Sequence, residues 1–352
     1  MSLEKLPRNA AMDGIDLYRR LDTSARDTEI ADPARVDAVV GDIRATLLRD
    51  LRVESTVNGW RTQALFASLI ASLDSCNLMT FVDTGDIYFD GDSVKAPDYF
   101  LSLKDGRRLL VDVKAVRGPR KASLDEAVKF SASEVRRLRR FGELYGVDVF
   151  LAIYHSEMFI WSLVSIDDLD RGVGGGFRIS LHDCIMLNQF SILGDVQVGS
   201  EFPIEMVIRS DGEKWRDVGD DGRIEFTIGA VDFFVASEPL VLRHEKSLAY
   251  FLMMYGGWDV DRVDSVSEEG VVEIRFSALP EERDLAPQMH GPLSTMHSRR
   301  YDLATKTSLG VVALDVQEGL GDFEALLPQD YQSITFPIWR FVLKPNVDAR
   351  RR

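Results

Sequence analysis

The segment "KAPDYFLSLKDGRRLLVDVKAV", Lys95 to Val116, sets a Pro97-Asp98 pair ahead of Asp112-Val113-Lys114 inside an otherwise apolar run. A buried carboxylate or ammonium is costly unless it is paired or holds a cation. Asp112 and Lys114 are two residues apart, so on a strand both point to one face. Asp98 belongs to the preceding extended segment, and Lys104-Asp105-Gly106-Arg107 reads as a hairpin turn between the two. A two-residue turn would pair Asp98 with Val113 and send it to the wrong face. A three-residue loop or one β-bulge, either of which Gly106 permits, restores it to the face of Asp112. Two converging carboxylates repel unless a cation lies between them, and all-oxygen ligation suits Mg²⁺ or Mn²⁺. A lysine beside them stabilises charge developing on a phosphate or orients an attacking water, the combination that phosphodiester hydrolysis needs. The competing reading of the three charges is a salt-bridged edge hairpin.

The elements that must position these residues are legible from period and punctuation. Residues 33–52 carry apolar side chains at helical spacing behind an Asp32-Pro33 entrance, and a second helix follows at 58–75, with Trp60, Leu65, Phe66, Leu69 and Ile70 able to share a buried face. Three extended segments come next: "MTFVDTGDIYF", "DYFLSLK" and "RRLLVDVKAV". After Pro119 the chain reads as one long helix opened by a Ser123/Glu126 capping box and closed by Gly146. "VDVFLAIYH" and "MFIWSLVSI" read as two further strands, so the order describes an α/β unit with a sheet covered by helices.

Pro97-Asp98 followed by Asp112-Val113-Lys114, in this order of elements, resembles the PD-(D/E)xK nuclease superfamily, whose fold is restriction-endonuclease-like. The resemblance covers about residues 58–165. It implies a core of a central mixed sheet flanked by helices, a metal-dependent nuclease activity, Asp98 and Asp112 as ligands of Mg²⁺ or Mn²⁺, and Lys114 as the catalytic lysine. Many members add an acid from the first core helix, where this chain offers Gln63. Glu54 is a substitute if the helix starts earlier, and Asp83 and Asp86 are other possible suppliers.

Charge distribution fits a polyanion-binding face on an otherwise acidic protein. Twelve lysines and arginines against five acids lie between Lys104 and Arg140, a local charge of +7 in a chain of net −15. Within or beside the expected basic helix, Lys121, Lys129, Arg136 and Arg137 are the candidates for contacting nucleic-acid phosphates, most simply those of DNA. Cys76 and Cys184 show no metal or disulfide spacing, the five histidines show no metal spacing or triad order, and no run is long and apolar enough to span a bilayer. A cytoplasmic protein is expected, with no membrane partner.

The glycine-rich "RGVGGGFRIS", 171–180, lacks the Lys-Ser or Lys-Thr of a phosphate-binding loop and reads as a linker or long turn. The expected organisation is a helical extension over 1–57, a nuclease-like domain over 58–170 and a β-rich α+β domain over 177–352, interrupted by helices near "HEKSLAYFLMMYG" and "LSTMHSRRYDLATK". Three functions follow: a Mg²⁺-dependent deoxyribonuclease, a nucleic-acid-binding module that keeps the fold with weak chemistry, or an assembly component. In the last, the acidic half around 211–225 and 261–273 docks a protein partner or a second copy of the chain.

Overall fold

The computed structural model describes residues 10–22, 29–83, 87–117, 127–172, 174–212, 217–218, 224–266, 272–280, 287–316, 326–346 and 348. Two N-terminal helices, α1 (Ala10–Leu21) and α2 (Pro33–Asp50), precede α3 (Glu54–Ser72). Pro33 stands at the start of α2, and the Asp32 side chain accepts from the Ala34 N–H, which satisfies an otherwise orphaned donor. A central five-stranded mixed sheet follows, built from β1 (Cys76–Phe81), β2 (Tyr99–Leu103), β3 (Arg108–Val116), β5 (Val149–His155) and β6 (Ile160–Ser165). Its spatial order is β1-β2-β3-β5-β6, and only the β3/β5 pair is parallel. That parallel pair requires a crossover, which is made by β4 (Ala127–Phe130) and α4 (Ala132–Tyr145).

The two faces of β3 follow its residue alternation. Leu109, Val111 and Val113 join a core with Leu65, Phe66, Leu69 and Ile70 of α3, whereas Leu110 joins a second core with Val135, Leu138 and Phe141 of α4. Asp112 and Lys114 share the parity of Leu110 and therefore lie on the α4 side. Tyr99, Phe66, Trp161 and Phe190 form an aromatic cluster under α3, with ring centroids 5.3–6.4 Å from Phe66. Side chains of this size contribute roughly 1.5–3 kcal/mol each when fully removed from water.

The crossover differs from the single long helix read from the sequence. Ala127–Phe130 is a strand paired with Phe177–Ser180, and α4 starts only at Ala132. Ser131 caps it, accepting from the Glu134 N–H at 3.1 Å, while Gly146 closes it at φ 70° as expected. A second S-x-x-E, Ser131 to Glu134, thus starts the helix. Ser123 and Glu126 lie outside the described residues. The first sheet strand also starts earlier than read, at Cys76 rather than Met79.

Gly172 and Gly174–Gly176 lie in a turn of a small sheet: Gly172 donates its N–H to the Gly176 carbonyl, and Phe177–Ser180 pairs with both Asp170–Arg171 and β4. Beyond it, Ile204–Ser210, Ile228–Val235, Val272–Leu279 and Asp259–Val266 form an antiparallel sheet. Helices Arg243–Tyr255 and Leu293–Thr305 occupy the two stretches where helices were expected. The chain's second half packs directly on α3 and β6. Trp161 Nε1 donates to Ser298 Oγ at 2.9 Å, Ser68 Oγ meets His297 Nε2 at 3.0 Å, and buried Arg61 pairs with Asp302 at 2.8 Å. One hydrophobic core runs through both halves, including Phe66 and Trp161 from the first and Leu252, Met296 and Tyr301 from the second. Among the described residues no helix is long and apolar enough to cross a membrane.

Candidate active site

The hairpin loop decides whether the charges meet. Leu103 N–H donates to the Arg107 carbonyl at 2.8 Å, enclosing a three-residue loop, Lys104 to Gly106, and Gly106 takes φ 89° at its last position. Glycine adopts this left-handed conformation at little cost. The register pairs Tyr99 with Val111, so its continuation sets Asp98 across from Asp112. This is the parity that a two-residue turn would have lost.

Asp98 is 8% exposed and Asp112 1%. The Asp98 carboxylate accepts from the Val113 backbone N–H at 2.6 Å through Oδ2 and from Gln63 Nε2 at 2.6 Å through Oδ1. Gln63 is itself anchored, because its backbone carbonyl accepts from Tyr99 Oη at 2.8 Å. Burial, and then the nearby Asp112 charge, push the Asp98 carboxyl up to about 7, against the opposing pull of the Val113 N–H and of Lys114 and Lys95.

Asp112 sits between two ammonium groups. Lys95 Nζ is 3.1 Å from Oδ1 and Lys114 Nζ is 2.7 Å from Oδ2. The Lys114 contact is the shorter of the two and reaches the buried Oδ2. Both lysines also meet Glu134 Oε1, Lys95 at 2.8 Å and Lys114 at 3.1 Å. Burial lowers the Lys114 pKa, but Asp112 and Glu134 outweigh it and raise the group above its ordinary value. Glu134 is held below the usual carboxylate range: its partial burial acts upward, and the contacts with Lys95 and Lys114 prevail. The result is a closed ring of two carboxylates and two ammoniums beside Asp98.

The structure therefore brings Asp98, Asp112, Lys114 and Gln63 together. Glu54 lies elsewhere: it begins α3, nine residues before Gln63 and about 13 Å away along the axis, and pairs with Arg117 in solvent. Asp83 is exposed just beyond β1, with its carboxyl raised by partial burial and further by Asp112 while Lys95 opposes. Asp86 and Lys121 lie outside the described residues. Lys129 and Arg136 are exposed on β4 and α4. Arg137 is half-buried, its Nε has no hydrogen-bond partner, and its carbonyl accepts from the Lys95 N–H at 3.3 Å. Of the five histidines, His155, His290 and His297 are buried, and His182 and His244 are exposed.

Lys95 and Glu134 were missed in the sequence. A signal existed for Glu134: the Ser131-x-x-Glu134 box places it in the first turn of α4, where it meets Lys95 and Lys114. Lys95 carries no pattern of its own; it reaches Asp112 on β3 and Glu134 on α4 in the folded chain.

No family model and no curated protein matches the chain. Among solved structures it is similar to Archaeoglobus fulgidus Hjc, a Holliday junction resolvase from an archaeal hyperthermophile. That similarity has a TM-score of 0.31 at 17% identity and covers 39% of this chain and 96% of that chain.

Proposed function

We propose that the chain is a metal-dependent nuclease of the PD-(D/E)xK type, hydrolysing phosphodiester bonds with Asp98 and Asp112 as ligands of Mg²⁺ or Mn²⁺ and Lys114 as the catalytic lysine. The observation that carries this reading is the juxtaposition made by the three-residue loop. It sets two buried carboxylates across from each other on adjacent strands, and burial first, with the Asp112 charge second, raises the Asp98 carboxyl above its ordinary value.

The residues present fit a hard divalent cation. Among the described residues no group of three or more His, Cys, Asp or Glu side chains is arranged to hold a metal, and the proposed site uses two carboxylates, Asp98 and Asp112. Mg²⁺ is commonly held by one or two carboxylates and keeps several waters. Asp112 Oδ1 has the longer of the two ammonium contacts, 3.1 Å to the partly exposed Lys95, and the Gln63 amide, placed where a helix acid would stand, supplies a neutral oxygen if it turns over. When bound, the metal polarises a phosphoryl oxygen and lowers the pKa of an attacking water. The protein's own residues do the rest. Asp98 and Asp112 fix the position of the charge, the Val113 N–H and Gln63 orient Asp98, and the Lys114 ammonium faces the phosphate to offset charge that develops there. Lys129 and Arg136 offer exposed cations to the backbone of a nucleic acid, DNA in this reading.

Cleavage of single-stranded, duplex and branched DNA with Mg²⁺ or Mn²⁺ tests the proposal, with Lys114→Met as the diagnostic variant. Met keeps much of the aliphatic stem and removes the ammonium, so turnover should drop by about 10²–10³-fold, as for one transition-state stabiliser, while Mn²⁺ still binds. Metal-independent cleavage, or wild-type turnover in the variant, overturns it. Metal and DNA binding without cleavage would instead identify a binding module that keeps the fold.

A further inference from the structure

We infer that Lys95 is a resident counter-ion of the acidic site, bound to Asp112 where a divalent cation would be held and withdrawn onto Glu134 when the metal enters. The inference rests on the metal-dependent reading and deepens it, because it assigns a competing role to a residue outside the P-D and D-x-K positions.

The geometry carries it. Hydrolysis asks for one lysine beside the carboxylates, and Lys114 supplies it from the same strand as Asp112. Lys95 is a second cation on the other oxygen, 3.1 Å from Oδ1, and between them the lysines leave neither oxygen of Asp112 free of an ammonium. Their charges balance those of Asp112 and Glu134 without any metal. A divalent ion approaching Asp112 meets two like charges at close range, so one must move. Lys114 is the more deeply placed by its strand backbone, paired with Ile153 in the centre of the sheet. Lys95 lies in an irregular segment, 31% exposed, with a flexible four-carbon stem, and its contact with Glu134, already made at 2.8 Å, is the shorter of its two. Its backbone N–H is tethered to the Arg137 carbonyl of α4, so it can release Asp112 without leaving the helix. Glu134 becomes a positioning residue, holding Lys114 in place and receiving Lys95.

The test is Mn²⁺ binding by calorimetry and electron paramagnetic resonance to the full chain, to Lys95→Met and to Lys95→Arg, with each variant's fold checked by circular dichroism. Lys95→Met should bind Mn²⁺ about tenfold tighter than wild type, as expected for removing about 1.4 kcal/mol of competition. Lys95→Arg, which keeps the charge, should stay near wild type. A measurement on wild type alone guards against misfolded variants. Acylation of Lys95 by acetic anhydride, which transfers one acetyl group to the amine and releases acetate, mapped by mass spectrometry, should accelerate when Mn²⁺ is added. Equal Mn²⁺ affinity in wild type and Lys95→Met, or Lys95 acylation indifferent to Mn²⁺, overturns the counter-ion role while leaving the nuclease reading intact. Absence of Mn²⁺ binding in both wild type and Lys95→Met overturns the two together.

Discussion

Asp112→Asn separates a structural ion pair from a metal ligand only if stability is measured with and without metal. Asn keeps the shape of the side chain and removes its charge, stranding two ammoniums that lie 3.1 and 2.7 Å away. Breaking a buried pair by removing one partner costs about 3–5 kcal/mol. Here the lysine side chains are 31% and 27% exposed, and both retain Glu134. Relief of the repulsion on Asp98 recovers part of the loss, so a net cost of about 2 kcal/mol is expected, below that range. The variant should therefore be less stable whether or not Asp112 is a ligand, and instability alone proves nothing about chemistry. Metal resolves the ambiguity. A ligand at a hundred times its Kd adds about 2.7 kcal/mol to the chain that binds it. Urea unfolding followed by tryptophan fluorescence should show a gap of about 2 kcal/mol between wild type and Asp112→Asn without metal, widening to nearly 5 kcal/mol in saturating Mn²⁺. A gap that Mn²⁺ leaves unchanged would reduce the hairpin charges to a structural network. Equal stability of the two chains without metal would refute the energetic account of the ring itself.

Gln63→Glu supplies the helix acid in a place already hydrogen-bonded to Asp98. It should bind Mn²⁺ more tightly than wild type, yet melt earlier in the metal-free state because two carboxylates then face each other; calorimetry and melting read the two effects separately. Arg136→Ala and Arg137→Ala should part company. The exposed Arg136 should weaken DNA binding and flatten its dependence on salt by about one counterion, whereas the half-buried Arg137 should lower the melting temperature. His297 is held neutral, its pKa depressed to about 3 first by burial and then by Arg300. A base depressed in the folded state contributes stability above its unfolded pKa of about 6.5 and loses it as pH falls towards the folded value, so His297→Gln should remove about 1.4 kcal/mol per pH unit of acid sensitivity between those limits. Parallel pH profiles of stability for wild type and variant would rule this out.

Much of the site was legible because strand geometry is local. Residues two apart on β3 share a face whatever surrounds them, so Asp112 and Lys114 were placed together by spacing, and Gly106 marked the loop whose length sets the parity of Asp98. The α3 apolar face and the Gly146 cap follow from the same short-range rules. Tertiary structure decided what those rules do not reach. Ser123-x-x-Glu126 and Ser131-x-x-Glu134 are equally good capping boxes on paper, and pairing of Ala127–Phe130 with Phe177–Ser180, about fifty residues away, excludes a single helix running from Ser123 to Tyr145. That shorter α4 aims Glu134 at the sheet and brings in Lys95, converting three sequence charges into a ring of four beside Asp98. The glycine stretch shows the same limit, since composition marks a linker or long turn at 171–180 but not the Trp161–Ser298, Ser68–His297 and Arg61–Asp302 contacts that join both halves around one core. Contacts between residues this far apart in the chain depend on which faces find each other in the packed molecule, and no local period encodes that choice.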